Sequence, residues 1–112
     1  MKTTLFKLVI FVPQSHVEAV RIAVCSAGAG KIGKKKYDNC AFMSSGIGTF
    51  RPLKGAKPFK GEVGRLERVG EARLEVTIPK KLLKKAIAAM KKVHPYEEPA
   101  YDIYSLIYSL IN

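Results

Sequence analysis

The chain has 112 residues, 47 % of them hydrophobic, and a formal net charge of +11. That length suits a single domain, residues 1–112, with one core, and the composition excludes a disordered or low-complexity chain. The charge invites a nucleic-acid reading. Much of it, however, lies in lysine runs (Lys31 with Lys34–Lys36; Lys54, Lys57 and Lys60; Lys80, Lys81, Lys84, Lys85, Lys91 and Lys92), while arginine, the better reader of bases and phosphates, is scattered.

Residues 4–12 are rich in β-branched and aromatic types and apolar on both faces, which predicts a central strand covered on both sides. The apolar run Leu5–Val12 is too short to span a membrane, and no small-residue cleavage pattern follows it, so neither a membrane segment nor a signal peptide is expected. Ser15 and Glu18 have capping-box spacing, and Val17, Val20, Val24 and Ala27 repeat at helical intervals until Gly28 and Gly30.

Gly28-Ala-Gly-Lys-Ile-Gly33 has the spacing of a dinucleotide fingerprint, but it follows a predicted helix instead of opening one. Nor is it a P-loop, because Lys34 is followed by Lys35 with no hydroxyl for magnesium. A helix end followed by a basic loop is the expectation. Cys25 and Cys40 fit no zinc spacing and read as reduced thiols of a cytoplasmic protein.

A second strand is expected over 38–45. An inserted loop or hairpin follows over 46–69, punctuated by seven glycines and prolines, with a short strand over Glu62–Val69 turning at Gly70. Residues 71–78 alternate cleanly, Ala72, Leu74, Val76 and Ile78 against Glu71, Arg73, Glu75 and Thr77, as an antiparallel strand with one wet face does. Pro79 opens a second helix with a buried stripe of Leu82, Leu83, Ala86, Ile87, Met90 and Val93, and its lysines read as a solvated flank. Pro95 ends that helix, and residues 100–110 form a last strand apolar enough on both faces to meet another subunit.

The order β-α-β-β-α-β is that of an α+β, ferredoxin-like domain, a four-stranded antiparallel sheet with two helices on one face. It brings the start of the first helix, the bend after the second and the 46–69 excursion to one end of the sheet, with the glycine motif at the other. Both histidines, His16 and His94, then meet Glu97 and Glu98, a donor set suited to a divalent zinc or copper ion, the candidate cofactor. The bland alternative has His94 capping the last carbonyls of the helix while Glu97 and Glu98 fix the turn.

Several longer motifs also carry a resemblance. They are Val12-Pro-x-Ser-His-Val17, Ala27-Gly-Ala-Gly-x-Ile-Gly33, Tyr37-x-x-Cys-x-Phe42, Gly46-x-Gly-Thr-Phe-Arg-Pro52, Gly55-Ala-x-Pro58, Glu71-x-Arg-x-Glu75 and His94-Pro-Tyr-Glu-Glu-Pro-Ala-Tyr-Asp-Ile-Tyr104. Together they resemble the PII/CutA-like domain of YqfO-type members of the NIF-three-like family, and the last is similar to the divalent-cation-tolerance protein CutA. The resemblance implies a ferredoxin-like core that trimerises and senses or binds a small ligand or metal. The family's dinuclear metal centre belongs to a separate flanking domain, for which 112 residues leave no room, so no hydrolase activity is expected. The resulting expectation is a non-enzymatic homo-oligomer binding a metal ion or small anion near the His94–Pro99 corner, with a basic nucleic-acid or acidic-partner module as the alternative.

Overall fold

The computed structural model describes residues 4–32 and 36–107. Strand β1 (Leu5–Pro13) passes through a 3-10 turn (Gln14–His16) into helix α1 (Val17–Ser26), followed by β2 (Phe42–Phe50) and β3 (Glu67–Pro79). A second 3-10 turn (Lys80–Leu82) leads into α2 (Leu83–Val93), and β4 (Ala100–Ser105) closes the order. The sheet runs β2-β3-β1-β4 with every neighbour antiparallel, the ferredoxin-like arrangement expected.

One periodicity builds the core. Leu8, Ile10 and Val12 of β1 lie on the same face as Ala72, Leu74, Val76 and Ile78 of β3, because the register sets Ile10 opposite Leu74 and Leu8 opposite Val76. Val20 and Val24 of α1 and Ala86 and Met90 of α2 close over that face, spaced four apart so that each pair projects from one side of its helix. Each large aliphatic side chain buried there contributes on the order of 1.5–3 kcal/mol. Both helices occupy this face. On the other, Val9 is fully buried between Glu75 and Asp102 in neighbouring strands, and the Arg73 guanidinium lies 5.5 Å from the Phe11 ring centroid. The cross-strand neighbours of Val9 on this face are polar, and among the described residues no second layer of helices covers it.

Several boundaries differ from the sequence expectation. The Ser15–Glu18 capping box does not form: His16 is the N-cap of α1 without a side-chain cap, the Ser15 hydroxyl bonds His16 Nδ1 at 2.7 Å, and Glu18 accepts from Arg21 at 3.0 Å. The 3-10 turn after Pro13 moves the cap one residue beyond Ser15. Strand β2 begins at Phe42 rather than residue 38, since Asn39 takes a positive φ of 54° and accepts from Arg21 through its side chain.

At its other end β2 runs on to Phe50, because Gly46–Phe50 find ladder partners in Glu67–Glu71. The connection is therefore 51–66, Gly70 lies within β3 opposite Ile47, and no separate strand turns there. Pro79 closes β3, and α2 starts only at Leu83. The last strand ends at Ser105; the part of the expected 100–110 strand from residue 108 on lies outside the described residues, as do Gly33, Lys34 and Lys35 of the glycine motif and its basic loop.

Gly28 and Gly30 end α1 as expected, at φ of 112° and 80°. A Cβ on Gly28 would lie 2.5 Å from the Leu82 side chain, and one on Gly30 would lie 2.8 Å from the Cys40 carbonyl. The glycines therefore let this loop close against the start of α2 and the approach to β2.

Candidate functional site

The bend after α2 is held by His94. With the helical backbone ending at Val93, the His94 N–H still bonds the Met90 carbonyl at 2.9 Å while its ring turns toward β1. There Nε2 donates to the Phe11 carbonyl at 2.8 Å and Nδ1 accepts from the Tyr96 N–H at 3.1 Å. A carbonyl can only accept and an amide N–H can only donate, so the ring is the neutral Nε2–H tautomer. Its pKa is lowered, chiefly by burial, for the residue is only 7 % exposed; His16 adds to the effect, while the Phe11 bond and the Glu71 carboxylate oppose it. His94 thus ties the corner to β1, in place of the helix-capping role considered for it.

Tyr96 and β3 make the second tie. The Tyr96 hydroxyl donates to Glu71 Oε2 at 2.7 Å, and burial followed by that bond and the Glu71 charge pushes the phenol well above its ordinary value, keeping the proton on the donor. Room for the carboxylate comes from β2, since a Cβ on Gly48 would overlap Glu71. The third tie is to the 51–66 connection: Glu97 Oε1 accepts the Lys57 N–H at 3.0 Å. Around these bonds the rings form a chain of contacts, His94 to Tyr96 at 5.0 Å, Tyr96 to Phe50 at 5.9 Å and to Phe59 at 6.3 Å, and Phe59 to His16 edge-on at 5.8 Å.

Between the connection and the corner lies a groove of about 640 Å³. Phe50, Phe59 and Tyr96 give it apolar walls, and Arg51, Lys54 and Lys60 supply cations along the loop side. Two of its carboxylates, Glu71 and Glu97, are occupied by Tyr96 and Lys57.

The four residues expected to hold a metal are brought to this end, but not as one cage. His16 bonds Ser15, both ring nitrogens of His94 are engaged, Glu97 is turned to the loop and Glu98 is exposed. Among the described residues no group of three or more His, Cys, Asp or Glu side chains is placed to hold a metal ion. Cys25 and Cys40 are free and meet around Gly30, and burial pushes the Cys25 thiol up, away from the reactive thiolate.

Sequence reasoning missed Glu71, Phe50 and Phe59. A usable signal was Gly46-x-Gly48 next to a strand, since glycine within a strand marks a close approach by another group.

No protein-family model matches the chain. It is 59 % identical over 98 residues to a Bacillus subtilis protein named GTP cyclohydrolase 1 type 2 homolog, a match covering 88 % of this chain and 26 % of that protein. A solved Bacillus cereus protein related to NIF3 superposes with a TM-score of 0.82 at 48 % identity, over 96 % of this chain and 27 % of that one. The divalent ion tolerance protein CutA1 of Ehrlichia chaffeensis superposes with a TM-score of 0.67 at 14 % identity, over 96 % of this chain and 84 % of that one. The chain spans about a quarter of the length of the curated relatives it matches. No helix among the described residues is long and apolar enough to cross a membrane. Over nearly its whole length the chain is therefore homologous to one segment of these longer NIF3-related proteins, and it has the CutA-like fold.

Proposed function

We propose that the chain is a non-enzymatic, cytoplasmic, homo-oligomeric PII/CutA-like module that binds a small anion in the groove beside the His94–Pro99 corner. The observation that carries this reading is the set of cations along the loop side of the groove that no ion pair among the described residues uses. Arg51, Lys54 and Lys60 line it in the absence of an ion-pair partner among the described residues; of its three carboxylates, Glu71 and Glu97 are held by Tyr96 and Lys57, and Glu98 is exposed. The metal reading, with His16, His94, Glu97 and Glu98 as ligands, is second to it, because a metal would have to displace at least one of the two bonds that hold His94 in place.

Oligomerisation is supported by the sheet edges. β2 and β4 are the outer strands, and both present apolar side chains: Phe42 and Ile47 are 64 % and 71 % exposed, and Tyr104 is 47 % exposed. Two different edges suit a head-to-tail contact between copies, which closes into a ring such as the expected trimer.

The test is a ¹⁵N-resolved NMR titration with pyrophosphate, citrate and zinc in turn, with native mass spectrometry on the same sample. Either anion should shift the Lys57, Phe59 and Tyr96 amides, Lys54→Gln with Lys60→Gln should abolish the shifts, and the mass should be that of three chains. Shifts with zinc alone, lost in His94→Ala, would favour the metal reading; a monomer indifferent to all three probes would refute both.

A further inference from the structure

The α2 lysines are poorly explained by the stability of their own helix. Lys80 and Lys81 occupy the 3-10 turn that enters α2, and Lys84 and Lys85 fall in its first turn, which contains no acidic residue. The amide dipoles of a helix place partial positive charge at that end, so four ammonium groups there oppose the helix instead of supporting it. Like charges also stand at helical neighbour spacing, Lys80 and Lys81 with Lys84, and Lys81 with Lys85. Only Lys91 and Lys92, in the last turn, complement the dipole.

Nor do the other described residues neutralise this charge. Residues 80–93 include no Asp or Glu, and the three ion pairs among the described residues all use arginine. All six lysines are exposed, while Ala86 and Met90 on the opposite side of the helix are fully buried. From Lys80 to Lys92 the face is about 18 Å long at 1.5 Å per residue, roughly five base-pair steps of a duplex.

We propose that the outer face of α2 is a docking surface for the phosphate backbone of duplex DNA, bound without regard to sequence. The chemistry selects that occupant. The face is a broad band of point charges without Arg, Asn or Gln to read base edges, so it follows phosphates alone. It offers no exposed aromatic ring on which single-stranded bases could stack. Its apolar stripe is committed to the core except at Val93, expected in that stripe but 37 % exposed at the helix end, and one valine is too little apolar surface for a lipid face. This surface is separate from the groove, and either can fail without the other.

The experiment is fluorescence anisotropy of a mixed-sequence 20-base-pair DNA against the full chain over a range of KCl concentrations. With four to six phosphate contacts, log K should fall against log [KCl] with a slope of about −4 to −5. Lys84→Gln with Lys85→Gln should reduce the slope by about 2 and the affinity at about 150 mM KCl by about 30-fold. Relief of the dipole repulsion should at the same time raise the melting temperature of that variant by about 1–3 °C, which shows that it is folded. The groove variant Lys54→Gln with Lys60→Gln should bind DNA as the parent does. Binding of polyglutamate or of phosphatidylserine vesicles as tightly as DNA, a slope unchanged in the α2 variant, or no binding at low salt would each overturn the proposal.

Discussion

Replacing His94 with Phe keeps a ring of similar size at the corner but removes both of its polar contacts. The Tyr96 N–H then loses its acceptor and the Phe11 carbonyl loses a donor, in a site where the parent residue is 7 % exposed. Leaving a buried polar group unpaired costs about 1–3 kcal/mol, so the variant should be destabilised by about 2–4 kcal/mol, a large share of the 5–15 kcal/mol typical of a domain. At a urea m-value of about 1–2 kcal/mol/M the midpoint should fall by roughly 2 M.

The loss should also depend on pH. His94 has a folded-state pKa lowered by burial, so below the unfolded value of about 6.5 the unfolded chain binds a proton that the folded chain refuses. The parent therefore loses stability as pH falls through about 6.5, until the folded-state pKa is reached. The nearby Glu71 reduces this effect and His16 increases it. Urea titrations at about pH 7.5 and 5.5 measure both quantities, and the gap between parent and variant should narrow on acidification. A variant as stable as the parent at pH 7.5, or a gap that does not change with pH, would refute a neutral, doubly bonded His94.

Three further outcomes are expected. Tyr96→Phe deletes the 2.7 Å bond to Glu71 in a partly buried setting and should cost about 1 kcal/mol in chemical denaturation, with Gly48→Ala costing at least as much by displacing the same carboxylate. Gly28→Ala meets both a φ of 112° and the Leu82 side chain, so it should lower stability by about 1–3 kcal/mol, visible as a lower melting temperature. Glu97→Ala frees the Lys57 amide, and hydrogen exchange should accelerate at Lys57 while core amides such as Leu74 keep their protection.

The sequence alone determined the burial phase of this protein. Alternation from Glu71 to Ile78, the four-residue spacing of Val20 with Val24 and of Ala86 with Met90, and the prolines at 13, 79 and 95 are local patterns. Burial on one face imposes the same periods wherever the chain later sits. From the resulting order of elements it followed that both histidines reach one end of the sheet.

Only the tertiary structure decided what those residues do there. Phe11 and His94 are 83 residues apart, Lys57 and Glu97 are 40 apart, and Glu71 and Tyr96 are 25 apart; each bond depends on ångström-scale placement that no local pattern records. The same holds for β2, whose glycines lower its local strand propensity but whose backbone groups find partners along β3 as far as Phe50. Lysines at the start of α2 were visible from the outset. That they stand unpaired on an exposed face, against the dipole of their own helix, required the fold.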